Sequence, residues 1–396
     1  MGHLLIALGG AFLAAGLLAR MGRRLGLPTI PLFMLAGIIF GPSTPGLVLV
    51  EKPGELSLLA SLGLILLLFH LGLEFSLDDL AHGGRRLLVA GGIYLTLHLV
   101  GGIVLGCAFG WGGREAVVIA GVVGISSSAI VTKLLIELRR LTNPETRLIL
   151  GVVVVEDIFL ALYLAVLQPI LSGSSGLEAF RDVTVAFGFL MVLVVVARSG
   201  SRIVDRIVAS PDDELLTILF LGVAVLIAGL AEELGVSDAI GAFMAGLIIA
   251  ETTVKGRVER LVLPLRDAFA AVFFFAFGLS IDPADFGSVA GPVVAAVVVS
   301  FVLNLTAGVL VAWYGGYNRR AAANIALTVV ARGEFSLILA SLALAAGLDA
   351  RLGPFTALYV LILAIAGPIL ATRSGVVARL LPSVLDRRSL NGLGAG

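Results

Sequence analysis

The chain has 396 residues, of which 59% are hydrophobic and only 14% charged, with a mean hydropathy of +1.10. Soluble domains carry about 25% charged residues, so this composition reads as an all-α polytopic membrane protein whose first partner is the lipid bilayer. The 27 basic and 27 acidic residues cancel, which leaves no bulk electrostatic case for nucleic acid, and the single cysteine, Cys107, excludes an internal disulfide.

The first apolar run, MGHLLIALGGAFLAAGLLAR, carries its positive charges after the apolar stretch. That order disfavours a cleaved signal peptide and predicts a first span with its N-terminus outside. Thirteen spans are expected. They lie near 3–19, 28–41, 56–73, 86–110, 115–136, 147–171 and 180–198, then 214–232, 236–251, 267–280, 291–314, 321–346 and 353–372. Several fall short of the ~20 residues a straight crossing needs. Alternate loops concentrate arginine and lysine: Arg20/Arg23/Arg24, Arg85/Arg86, Lys133 to Arg147, Arg198 to Arg206, Lys255 to Arg266, Arg319/Arg320 and the tail from Arg373. The opposite loops hold only Lys52, Arg114, Arg181 and Arg351. By the positive-inside rule the spans are odd in number and the C-terminus is cytoplasmic.

The two halves of the chain echo each other. LAGIIFGP (Leu35 to Pro42) returns as MAGLIIAE (Met244 to Glu251), and FHLGLEFSLDDL (Phe69 to Leu80) as FAFGLSIDPADF (Phe275 to Phe286). Both offsets are 206–209 residues. Seven spans separate matching helices, so the copies are inverted in the membrane, an arrangement that recurs in secondary transporters with the binding site at the midplane. The expected segments are 1–179 for the first repeat, 180–213 for a connector helix and loop, 214–372 for the second repeat and 373–396 for a short tail.

Polar groups interrupt three spans at similar depth. Span five contains GISSSAIVTK, with Ser126, Ser127 and Ser128; span six contains VVVVEDIFLAL, with Glu156 and Asp157; span twelve contains VVARGEFSL, with Arg332 and Glu334. Counted from Arg147, Glu156 lies about 14 Å in at 1.5 Å per residue, near the middle of a ~30 Å core. An intramembrane carboxylate costs roughly 2.5–3.5 kcal/mol on the mildest scale and marks an ion or proton pathway. Spans five and twelve read as broken helices whose freed backbone groups face a cavity. Adjacent helical positions point about 100° apart, so one acid faces the pathway while the other needs a partner. Arg332, the one basic residue deep in a span, is expected to pair with Glu156, leaving Asp157 as carrier; Glu334 is the competing partner. Were Arg332 to hold Glu156 ionised, exchange would be electroneutral. Lys133 reads as an anchor at the end of span five, and His70 and His98 as packing histidines.

Jointly, GIIFGP, LGLEF, SSSAIVTKLL, VVEDI, GAFMAGLIIAE, FFFAFGLSID and ARGEFSLILA resemble the monovalent cation:proton antiporter-2 family, and more broadly the sodium/proton and potassium/proton exchangers, over essentially the whole chain. The resemblance implies thirteen transmembrane helices in two inverted six-helix repeats with two broken crossing helices, a homodimer, and a prokaryotic plasma membrane location. It implies no cofactor beyond the transported potassium or sodium and protons. Asp157 matches the essential carboxylate that binds cation and proton alternately, and Glu156 the variable position before it. Ser126, Ser127 and Ser128 match the broken segment of span five, and Arg332, Gly333 and Glu334 the RGEF-like segment. Two departures stand out. Asn304 occupies a place in span eleven where many relatives carry lysine. The chain also stops shortly after span thirteen, where Kef-type potassium-efflux members continue into a nucleotide-binding domain, so regulation is expected to come from a separate cytoplasmic subunit, if any. The expected function is antiport of a monovalent cation against protons by alternating access, with no enzymatic activity. The alternatives are a proton-coupled symporter of a small solute and a cation channel or sensor.

Overall fold

In lipid, every backbone N–H and C=O must be satisfied within its own segment or inside the protein, and apolar runs therefore fold as helices. The computed structural model describes residues 2–24, 27–46, 48–74, 84–171, 205–234, 237–381 and 385–386, with isolated positions from 181 to 191; it contains no strand among them. The helices are α1 (Gly2–Arg24), α2 (Thr29–Ile39), α3 (Ser57–Glu74), α4 (Gly84–Phe109), α5 (Gly113–Gly124), α6 (Ser128–Glu137) and α7 (Thr146–Leu171). They continue as α8 (Asp213–Glu233), α9 (Asp238–Ala250), α10 (Lys255–Leu279), α11 (Phe286–Gly315), α12 (Arg319–Thr328), α13 (Glu334–Ala345), α14 (Leu352–Thr372) and α15 (Ser374–Ala378). Among the described residues, eight helical stretches are long and apolar enough to cross a membrane, and α2, α9 and α13 are shorter apolar helices. The expected seventh span, 180–198, and the end of the tail from residue 387 lie outside the described residues.

The chain forms two compact units. The first comprises Met1–Leu18, Phe33–Leu80 and Ile158–Ser280; the second comprises Ala19–Leu32, Ala81–Asp157 and Ile281–Gly396. Each unit draws on both halves of the chain, so neither coincides with the segments 1–179 and 214–372. Tight packing runs between elements far apart in sequence.

In the first unit, α3 packs on α9 and α10, and α2 also approaches α10, through glycines at the crossing points. A Cβ added at Gly37 would collide with the carbonyl oxygen of Phe275 and lie 3.0 Å from Cα of Gly278. A Cβ at Gly72 would collide with the carbonyl of Phe243 and lie 3.0 Å from Cα of Gly246. Small residues at such points let helix backbones touch, which supplies the van der Waals contact that drives association in lipid. Phe69 stacks on Phe220 beside this crossing, with ring centroids 5.8 Å apart.

In the second unit, α4 packs on α5 and α11 on α12, again over glycine: Gly102 faces Ala120, and Gly308 faces Ala322 and Ala326. Helices α4, α11 and α14 enclose the interrupted segments. Their core is built from Tyr94, Val131, Leu135, Ile149, Val152, Val311, Ile325 and Val329.

Candidate functional site

The two polar interruptions break their helices. Between α5 and α6 the chain is extended at Ile125 and Ser127, and Ser127 serves as N-cap of α6, accepting from the Ile130 N–H at 3.5 Å. Between α12 and α13 the helix unwinds over Val329 to Gly333 and restarts at Glu334, a carboxylate at the positive end of a helix dipole. The breaks meet. Ser127 N–H donates to the Ala331 carbonyl at 3.0 Å, Ser127 Oγ donates to Glu334 Oε2 at 3.3 Å, and Ser336 Oγ donates to the Val122 carbonyl at 2.9 Å. Gly333 is the one residue type that fits its place, because a Cβ there would lie 2.5 Å from Ser127 Oγ and 2.7 Å from its Cβ.

Glu156 is fully buried on α7 and reaches the first break: Ser126 donates to its Oε2 from the backbone N–H at 3.2 Å and also from Oγ. Its Oε1 is buried with no hydrogen-bond partner. Asp157 follows in the next position and is half-buried. Ser128 opens α6, half-buried.

Arg332 makes its hydrogen bonds chiefly to backbone carbonyls. It is 0% exposed, yet no hydrogen bond joins it to Glu156. Its Nε and Nη2 donate to the Val123 carbonyl at 3.0 and 2.7 Å, and its Nη1 to the Val329 and Val330 carbonyls at 3.0 and 3.1 Å. Those carbonyls lie at the C-terminal ends of α5 and α12, where helices leave acceptors orphaned and carry partial negative charge. One guanidinium thus caps two helix ends. A planar fork with five donors can reach several acceptors at once. Arg332 and Glu156 therefore act on each other through space, as opposite charges buried in one unit, without a direct hydrogen bond.

Behind Arg332 lies a polar network that the sequence did not reveal. Its Nη2 approaches Tyr94 Oη at 3.4 Å; Tyr94 Oη donates to Asn304 Oδ1 at 2.8 Å and reaches the Val329 carbonyl at 3.1 Å. Asn304 Nδ2 donates to the Ser300 carbonyl at 2.7 Å, and Ser300 Oγ and Tyr359 Oη are 2.7 Å apart. His98 stacks on Tyr94, centroids 4.0 Å apart, with Nδ1 2.9 Å from the Tyr94 carbonyl. Asn304 therefore joins the arginine's surroundings as a neutral hydrogen-bonding residue. The signal available in the sequence was the spacing: His98 and Asn304 stand at the same offset as the repeated motifs.

A cavity of about 400 Å³ opens at the breaks, walled by Ser127, Gly333 and Glu334 and farther out by Lys133, Arg23 and Pro28. Lys133 is 44% exposed and sits 3.6 Å from Glu137. Neither Glu156 nor Asp157 lines this cavity. No cluster of His, Cys, Asp and Glu able to hold a transition metal occurs among the described residues.

Replacing Arg332 with leucine would orphan the Val123 and Val330 carbonyls, at roughly 1–3 kcal/mol each, and leave Val329 to Tyr94 Oη alone. We expect a clear drop in the thermal midpoint of the detergent-solubilised protein. Arg332→Lys, with three donors and no fork, should recover part of it. An unchanged midpoint in Arg332→Leu would contradict the capping role.

Long apolar helices, two interrupted segments in contact and buried acids beside them define a membrane transporter of the cation/proton antiporter class, and comparisons with known proteins agree. The family model described as sodium/hydrogen exchanger, transmembrane, matches residues 10–372. The chain is 38% identical over 97% of its length to the K(+)/H(+) antiporter subunit KhtU of Bacillus subtilis, covering 96% of that protein. It is 30% identical over 86% of its length to the Na(+)/H(+)-K(+) antiporter GerN of Bacillus cereus, covering 87% of that protein. In fold it is similar to the sodium proton antiporter MjNhaP1 of Methanocaldococcus jannaschii, with a TM-score of 0.70 at 18% identity over 92% of this chain and 98% of that one. This chain belongs to the sodium/hydrogen exchanger family of cation:proton antiporters. Its members are transporters, not enzymes.

Proposed function

We propose that the protein exchanges potassium for protons across a bacterial plasma membrane by alternating access, with Asp157 taking cation and proton in turn. The observation that carries this is the bonding of Glu156 to the first break at Ser126, next to Asp157, with the two breaks in contact at Ser127, Ala331 and Gly333. A carboxylate surrounded by apolar helix is costly to leave bare, so proton and cation compete for it and the empty charged form crosses poorly. That penalty is what couples the two flows. Ser127 and Glu334, on the cavity wall, would strip water from an arriving cation. The K(+)/H(+) and Na(+)/H(+)-K(+) names of two relatives agree with a monovalent cation, and potassium is the reading we favour from the RGEF segment.

Matched packing supports two inverted repeats, spans one to six and eight to thirteen. Gly37 against Gly278 corresponds, at the offset of the repeated motifs, to Gly246 against Gly72. Gly102 against Ala120 corresponds likewise to Gly308 against Ala326. A homodimer, a cytoplasmic C-terminus and a separate regulatory subunit complete the reading. It is tested by dye-monitored proton flux in everted vesicles with potassium, sodium and lithium added in turn. Potassium is expected to drive the largest proton movement. A response no greater than in vesicles lacking the protein, for all three ions, would reject antiport.

A further inference from the structure

The second unit holds a basic recess that ion exchange at Asp157 does not use. A cavity of about 560 Å³ is lined by Arg139, Arg140 and Arg320, with Glu145 and Asn324. A neighbouring cavity of about 620 Å³ shares Asn318 and Arg320 with it and adds Arg319, Arg373, Arg379 and Asp386. The wall comes from the end of α6 and the loop after it, the start of α12, the end of α14 and α15.

The acids in this recess are already engaged. Glu145, buried, accepts from Asn143 Nδ2 at 3.1 Å and Asn324 Nδ2 at 2.6 Å. Asp386 pairs with Arg319 at 2.8 Å and accepts from its backbone N–H at 3.2 Å. Among the described residues, no salt bridge reaches Arg139, Arg140, Arg320, Arg373 or Arg379. Arg140 is held in place by bonds from Nη2 to the Ala371 carbonyl and Ser374 Oγ, both 2.9 Å, while its Nη1 is buried with no hydrogen-bond partner. Burial pushes the Arg140 guanidinium below its usual value; Glu145 opposes that and Arg320 adds to it. Arg139 has a φ of 52°, a left-handed conformation at the helix end where glycine is the usual residue.

We propose that these joined cavities bind a phosphate-bearing polyanion, gripped by Arg320 where the two recesses meet and by Arg139 across the first of them. Guanidinium forks match phosphate oxygens in pairs, and the exposed Arg139 and Arg320, with no carboxylate among the described residues bridged to them and Arg140 adding like charge behind, gain most from an anion. Asn318 and Asn324 add neutral polar groups to the same wall. The phosphate can come from an acidic phospholipid headgroup or from a soluble phosphate ester. The site lies apart from Glu156 and Asp157, so it stands whether or not they carry the exchanged ion.

The test uses the full-length protein in two preparations. In phosphatidylcholine nanodiscs, inorganic pyrophosphate is titrated by calorimetry. In phosphatidylcholine/phosphatidylglycerol nanodiscs, lipid retained through delipidation is measured by native mass spectrometry. Arg320 is exposed and unbridged, so Arg320→Gln should fold normally; Arg351→Gln, in an arginine outside the recess, serves as control. We expect at least one probe to bind, with Arg320→Gln weakening it about tenfold, as for loss of a charge-assisted phosphate contact, and Arg351→Gln leaving it unchanged. Pyrophosphate binding would identify a soluble ligand, and selective retention of phosphatidylglycerol a lipid. If neither probe binds, or if binding is indifferent to Arg320→Gln, the proposal fails.

Discussion

Replacing Asp157 with asparagine is expected to reduce cation-driven proton flux to the level of vesicles without the protein, for potassium, sodium and lithium alike. Asparagine keeps the volume and shape of the side chain but has no proton to exchange and no charge to offer a cation. The buried neighbour Glu156 cannot take over, because Ser126 holds its Oε2 through two hydrogen bonds. Its other oxygen is buried without a hydrogen-bond partner, and Glu156 does not line the cavity at the breaks. Glu156→Gln should therefore retain exchange, since a glutamine oxygen can still accept from Ser126. Folding is checked in both variants by size-exclusion profile and thermal midpoint. The assignment fails if Asp157→Asn transports normally, and the division of labour fails if Glu156→Gln is as inactive as Asp157→Asn.

A second large effect is expected at a position with no chemistry. Gly246→Ala should abolish correctly packed protein, seen as loss of the monodisperse size-exclusion peak. The added Cβ would strike the carbonyl oxygen of Phe69 and lie 3.0 Å from Cα of Gly72. These are backbone atoms of α3, so no rotamer change relieves the clash and the whole crossing must open. Overpacking costs about 1–3 kcal/mol where side chains can yield, and more is expected where only backbones meet. Gly229→Ala is the matched control on α8, with nothing within 4 Å of its added Cβ. There alanine should be neutral or stabilising by up to about 1 kcal/mol of helix propensity. Equal behaviour of the two variants would refute the close crossing.

Much of this organisation was legible in the residues. Hydropathy marked the helices because the bilayer permits little else. The serine run at 126–128 and the ARGEF segment marked the two interruptions, because polar groups and glycine inside an apolar run seldom continue a helix there. The acids of VVEDI stood out by the cost of burying them. The partner of Arg332 did not show, and the reason is physical. A sequence displays charged side chains but not the carbonyls that a helix leaves open at its end, so the visible carboxylates at 156 and 334 looked like the natural counterions. Tyr94 and Tyr359 were likewise hidden, since tyrosine in an apolar span reads as packing until its hydroxyl is placed. The compact units were hidden too, because each interleaves segments from both halves.

The cap that Arg332 places on α5 also bears on the order in which the protein can be made. Val123 and the guanidinium that satisfies its carbonyl are 209 residues apart. At a synthesis rate of about 5–20 residues per second, roughly 10–40 s separate the two on the ribosome. Through that interval the end of α5 lies at membrane depth with its own acceptor unmet, and water or insertion machinery must shelter it. The first interrupted helix is thus an unfinished structure until the second arrives, and the two halves of the chain complete one another in time as well as in space.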